Sequence, residues 1–455
     1  MHHAASMTDH AIIRHSTGRR FGDLYLGLLA LLLLGYATLG KTVAYLGVPP
    51  LFIGDIVFII GVIVLLRTGC LIATLATLPS VFLALTMTWV AIRVMPYLGE
   101  YGLDALRDSV IVMYGGMAFV VIGLLVDDSR RIDRIIDFYR TFTGIFLGTL
   151  PILATLGALG QDFLPTVPIA DVPVVQYRPG DMGTHLAGVA IFILLGFRRV
   201  SPVLLVVLLA GIVFVATQNR GVMLAILGAT GLSMILAQKT HLIRRLLVLG
   251  TLALSLAYVS GVELQISAEG GERTISARQL VQNAMSIVTG DSINKLEGTK
   301  EWRLAWWQEI QKYTLGGEYF WTGKGFGVSL AEDDGFLVGE NPNAPPLRSP
   351  HNVFMTILAR GGVPGLTLWV LTLTSWLGML LANILVARRR GDVEWTNLFI
   401  FIACYGVAIL INASFDVALE GPILGLWFWC LFGIGVGSVM IYRARPHGSC
   451  SSPLK

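Results

Sequence analysis

The chain has 455 residues, of which 55% are hydrophobic and 14% charged, with a mean hydropathy of +0.71. Globular domains are ordinarily roughly 25% charged, so a soluble domain of this length is excluded and a polytopic membrane protein is indicated. The net charge of +4 is a slight excess that the loops explain, and no nucleic-acid partner is read from it.

In chain order, apolar runs long enough to cross a bilayer, about 17 to 25 residues each, begin near Phe21, Leu51, Leu71, Val110, Ile135, His185, Pro202, Gly221, Leu246, Gly365, Asn397 and Gly421. The fold class read from this is all-α integral membrane, with about twelve transmembrane helices and a large, mainly helical outer loop between helices 9 and 10. The runs near Leu51, His185 and Pro202 are short. The first run is too long for a signal peptide and lacks a small-residue cleavage site, so it reads as a retained helix; Met7 is an alternative start.

Basic residues set the orientation. Arg14, Arg19 and Arg20 precede the first span. Arg67, then Arg130, Arg131 and Arg134, then Arg198 and Arg199, then Lys239, Arg244 and Arg245, and then Arg388, Arg389 and Arg390 occupy alternate connections; Arg443 and Arg445 close the chain. Threading twelve spans puts all of them on one side, so the positive-inside rule predicts cytoplasmic termini. The expected division is a cytoplasmic N-terminus 1–20, helices 1 to 9 over 21–262, a loop or cap over 263–350, a helix after the loop with helices 10 to 12 over 351–443, and a cytoplasmic tail 444–455.

Cys70, Cys404, Cys430 and Cys450 make neither a disulfide framework nor a zinc pattern. There is no P-loop, Rossmann fingerprint or HExxH. An energy-driven pump or a zinc hydrolase is therefore disfavoured, and no metal or cofactor is expected.

Thr217-Gln-Asn-Arg220-Gly221 joins two apolar spans so tightly that Arg220 must lie at or just inside the outer boundary. A charge at depth costs about 2.5 kcal/mol or more, which usually implies a partner or a polar cavity. In the long outer loop, Thr299 is placed to cap a helix on which Arg303, Trp306, Trp307 and Ile310 share one face. An arginine there either snorkels over an aromatic belt or clamps an anion. Leu315 to Gly327 reads as a tight glycine-rich bend instead of a phosphate loop, and Glu332, Asp333 and Asp334 as an acidic surface loop.

Arg348-Ser-Pro-His351-Asn352 then opens a new apolar stretch. Ser349 as N-cap and Pro350 as first helical residue would put His351 in the first turn, where the helix dipole disfavours imidazolium and leaves a base. The alternative is a polar cap at the water boundary. Arg220, Arg303 and His351 all fall on the outer face. Guanidinium forks suit a diphosphate, and a neutral histidine suits a sugar hydroxyl.

At these residues the chain resembles the superfamily of O-antigen ligases and O-antigen polymerases (Wzy/WaaL-like), membrane transferases that use undecaprenyl-diphosphate-linked glycans. Asn219-Arg220-Gly221 with Leu224 resembles its Ser-Arg-Gly segment. Arg303 with Trp306 or Trp307, then Gly323-Lys-Gly325, resembles its loop pattern, and His351-Asn352 with nine residues before Gly362 resembles its His-Asn signature. The likeness is close from about Pro202 to Gly365 and only topological elsewhere. One departure is Arg360, where many relatives carry glutamate; it puts an acidic partner for the acceptor in doubt and adds a cation near the site.

The resemblance implies that Arg220 and Arg303 hold the diphosphate and His351 activates the acceptor, in a metal-independent inverting transfer at the outer face of the inner membrane. Asn352, Arg348, Arg360 and Arg178 are second-choice candidates, each open to a structural role. The partners implied are a lipid-linked glycan donor, a sugar hydroxyl on a lipid-linked repeat unit or lipid A core, and membrane lipid. The reading taken is a polymerase of O-antigen or exopolysaccharide repeats. A ligase to lipid A core is the near alternative, and a flippase of lipid-linked sugars the alternative of another class, although no convincing internal repeat supports a transporter.

Overall fold

The computed structural model describes residues 2–158, 164–167, 172–175, 178–260, 263–268, 271–276, 278–281, 296–337 and 348–445. Helices dominate it: α1 (His2–Leu39), α2 (Ile53–Thr68), α3 (Leu78–Val94), α4 (Leu103–Met113), α5 (Gly116–Asp127), α6 (Arg131–Ala158), α7 (Pro179–Leu194), α8 (Pro202–Gln218), α9 (Arg220–Leu236), α10 (Thr240–Ser260), α11 (Leu296–Leu315), α12 (Val353–Arg389), α13 (Val393–Ala413) and α14 (Pro422–Ala444). Three antiparallel hairpins are the described β structure, and the longest pairs Glu263–Ala268 with Gly271–Ser276. That hairpin lies in the long loop, which is therefore not helical throughout.

Among the described residues, five helices are long and apolar enough to cross a membrane: Arg20–Leu39, Leu78–Tyr101, Val353–Arg389, Val393–Ala413 and Pro422–Ala444. A sixth results if α4 and α5, bent by 41° at their junction, form one span. The shortfall from about twelve expected runs has a physical source. Several runs form short helices: α8 and α9, separated at the Asn219 cap, have 17 residues each, or roughly 26 Å of helix against a hydrocarbon core of about 30 Å.

The core lies between α5 and α14, between α3 and α12, and where α13 meets α7, α9 and α12. Trp369, Trp376, Trp429, Phe399 and Phe432 are fully buried there, giving it large aromatic contacts. A separate small core joins the loop to the membrane helices: Trp306 and Ile310 of α11 pack with Leu330, Ala331, Leu358 and Ala359. The expected common face of α11 is thus buried on the start of α12. The helix begins at Leu296 instead of after Thr299, so Thr299 lies inside it and does not cap it.

α12 is two helices joined at Gly362, whose φ of 68° and ψ of −171° are non-helical. Gly361-Gly362-Val363-Pro364 is the cause, since proline removes a donor and restricts the residue before it. The glycine-rich bend supplies the missing partners. Lys324 N donates to Ala359 O at 2.7 Å, Gly325 N to Arg360 O at 3.2 Å, and Val363 N to Phe320 O at 2.8 Å. A side chain on Gly362 would meet Phe320 O at 2.6 Å, and one on Gly323 would meet Arg360 C at 2.4 Å. Break and bend therefore dock backbone to backbone.

The acidic triplet is not simply a surface loop. Lys324 Nζ bonds Asp333 and Asp334 at 2.5 Å each, the Asp334 side chain is fully buried, and Trp306 Nε1 donates to it at 2.6 Å. At the far end of the bundle, where α5 turns into α6, Arg131 is buried between Asp23 at 2.9 Å and Asp127 at 2.7 Å. Cys404 and Cys430 are buried inside α13 and α14, while Cys450 and most of the tail lie outside the described residues.

Candidate active site

The histidine does not stand in the first turn of its helix. Asn352 is the N-cap of α12, its Oδ1 accepting from Phe354 N at 2.9 Å and Met355 N at 3.2 Å. Asparagine is among the strongest caps, and it displaces the expected Ser349. His351 therefore precedes the cap, with a φ of 53°, a left-handed conformation uncommon outside glycine. That backbone is pinned on its N-terminal side as well, where Trp307 Nε1 of α11 donates to Pro350 O at 2.9 Å. The imidazole is 24% exposed, and its Nδ1 lies 3.8 Å from Asp416 Oδ1. Nε2 is left as the other ring nitrogen for chemistry.

Asn219 repeats the device at α9: Oδ1 accepts from Gly221 N at 2.9 Å and Val222 N at 3.2 Å, making Arg220 the first helical residue. Gly221 packs against the side chain of Phe415. Arg303 reaches the same place from α11, its Nη1 donating to Phe415 O at 3.0 Å. Burial lowers the pKa of Arg303, Asp416 opposes this, and the charge of Arg220 adds to the lowering. Two guanidinium groups thus share one electrostatic neighbourhood, and Arg303 Nε is buried without a protein partner among the described residues.

Asp416 sits in the connection between α13 and α14 and joins the cations. Burial pushes its carboxyl up, but His351, Arg178 and the Val417 N–H more than offset this and hold it below the ordinary 3.8. Arg178, at the N-cap of α7, also faces Asp181. Glu420, four residues on, accepts from Thr356 Oγ1 at 3.0 Å; burial raises its pKa, opposed by Arg360 and His351 among its neighbours. Arg220, Arg303, His351 and Arg178 are therefore brought around one short connection.

The other second-choice residues do different work. Asn352 is a helix cap. Arg360 is 2% exposed and turns away, pairing with Asp108 of α4 at 3.0 Å and donating to Val328 O at 3.0 Å. Its charge is neutralised there, so the extra cation expected near the site is not free. Arg348 pairs with Asp108 at 3.1 Å and Asp104 at 3.4 Å.

Asp416 and Glu420 were not singled out in sequence. They belong to no motif and lie beyond the His-Asn segment. The available signal was topological, because two carboxylates in a short connection between the last two spans fall on the same predicted face as the cations.

Residues 204–370 match the family described as O-antigen ligase. This part of the chain is similar to that family. The resemblance to the O-antigen ligase and polymerase superfamily is borne out over this segment, which runs from α8 past the break in α12. No curated protein matches the chain. The matched segment contains Arg220, Arg303 and His351, whereas Arg178 precedes it and Asp416 and Glu420, in the α13–α14 connection, follow it. Chemically, the cluster offers an imidazole beside a carboxylate and guanidinium groups within reach of one another's fields, a set suited to moving a proton next to a bound polyanion.

Proposed function

We propose that the protein is a membrane glycan transferase that takes its donor as a lipid-diphosphate-linked saccharide. The placing of His351 and Arg303 beside Asp416, with Arg220 beside Arg303, carries this reading. Arg220 and Arg303 hold the diphosphate. His351 Nε2 takes the proton of an acceptor sugar hydroxyl as that oxygen attacks the anomeric carbon, and the bond from that carbon to the diphosphate oxygen breaks. The electron pair leaves on undecaprenyl diphosphate, where the guanidinium groups balance the growing charge. The proton stays on the imidazole, stabilised by Asp416 at Nδ1, until it passes to water. Attack opposite the leaving group inverts the anomeric centre.

In this account the site faces the periplasm or exterior of the inner membrane, both termini are cytoplasmic, and about twelve crossings carry a cap over 263–350. The preferred activity is polymerisation of O-antigen or exopolysaccharide repeats. Ligation to lipid A core is the second reading, favoured by the description of the matching family.

The size profile of lipid-linked and surface glycan in a deletion strain, complemented with wild type or His351→Ala, tests both. Single repeats without a ladder, in the mutant only, identify a polymerase. Full-length chains stranded on undecaprenyl diphosphate identify a ligase. A wild-type profile from the mutant removes His351 from the chemistry.

A further inference from the structure

Asp108 lies outside the segment that matches the family, on α4, yet three chain segments around the site meet on one of its oxygens. Oδ2 accepts from Arg348 Nη2 at 3.1 Å, pairs with Arg360 Nη1 at 3.0 Å, and accepts from Gly327 N at 3.0 Å. These donors come from the segment before His351, from the first half of α12 and from the end of the glycine-rich bend. The carboxylate is 7% exposed, so the bonds form where water competes little. Arg348 adds a bond to Gly327 O at 2.7 Å, and Arg360 one to Arg348 O at 3.4 Å, which closes the knot.

The geometry points to Asp108 as the positioning residue for His351. Only Ser349 and Pro350 separate Arg348 from the histidine, and Pro350 O is already held by Trp307. On the other side the Asn352 cap fixes the chain. A histidine at φ 53° persists when its surroundings over-determine it, and the anchor at Arg348 is the end of that restraint farthest from the cap. Asp108 touches none of Arg220, Arg303 or Asp416, so it acts on the position of the imidazole and not on the diphosphate pole. This role rests on the proposed function in so far as His351 is the base.

The test uses the full chain, purified in nanodiscs, as wild type, Asp108→Asn and Arg348→Gln, the last leaving the Asp108 to Arg360 pair in place. Three readouts are taken: glycan transfer in the complemented strain, binding of undecaprenyl diphosphate, and the rate at which diethyl pyrocarbonate modifies His351, with exposed His241 as internal reference. A displaced base loses rate steeply, so transfer falls at least about tenfold while diphosphate binding changes less than about twofold, and His351 is modified several times faster in both variants with His241 unchanged. An unchanged His351 rate in both variants overturns the inference. So does a loss of diphosphate binding that parallels the loss of transfer, which would make Asp108 a general folding residue. Normal transfer by His351→Ala would instead defeat the proposed function, and the modification rates would still decide whether Asp108 holds the segment.

Discussion

His351 and Asp416 make a pair whose members come from before α12 and after α13, and each is shaped by its own backbone setting. The left-handed backbone of His351 turns the ring toward Asp416. An orienting carboxylate at one ring nitrogen leaves the other to meet substrate, the logic by which an acid partner sets a histidine base. Replacing His351 with Ala is expected to lower transfer by about 10² to 10⁴, measured as repeat-unit incorporation at equal protein level. Arg303→Ala is expected to cost about 10² to 10³ and, unlike the histidine change, to weaken undecaprenyl diphosphate binding as well. Asp416 gives a pH signature. Its carboxyl is held below 3.8 despite burial, so its stabilising contribution is fully present above that value and is lost as pH falls through the lower folded pKa. Asp416→Asn should therefore flatten the acid limb of a thermal-stability profile below about pH 4. An unaltered limb would mean that the pairing with His351 and Arg178 contributes little to stability.

The elements that matter most are the break in α12, the bend that fills it, and α11. The bend completes the backbone bonding that Gly362 and Pro364 interrupt, so the first half of α12 is set at a fixed angle to the membrane-crossing second half. Gly362→Ala forces a side chain into Phe320 O at φ 68° and should destabilise by roughly 1–3 kcal/mol, seen as a lower unfolding temperature in detergent. Trp307 is a subtler case. Trp307→Phe keeps the ring and removes the bond to Pro350 O, a cost of about 1 kcal/mol. Transfer should fall more than stability does, since that bond sits one residue from the base; equal losses would make it ordinary packing.

At the scale of the whole molecule, α7, α9, α11, the start of α12 and the α13–α14 connection meet at one end of the bundle, and that meeting was only partly legible in the sequence. Composition and the lone arginines exposed the membrane class and the cation cluster, because a charge near the hydrocarbon is costly and so stands out. The shared face of α11 was visible from helical spacing. The cap of α12 was misread because Ser349 and Asn352 are both good caps, and the choice depends on a left-handed residue between them that propensity does not reveal. Asp416 was missed since a carboxylate in a short connection looks like any other, and Asp108 since its partners are more than 200 residues away in sequence.

The most direct measurement is release of undecaprenyl diphosphate by the purified protein from a lipid-diphosphate glycan in the presence of an acceptor, wild type against His351→Ala. Stoichiometric release with a lengthened or transferred glycan, lost in the variant, is the predicted result. Movement of the intact lipid-linked glycan across the bilayer with no bond cleavage would contradict the account and identify a transporter.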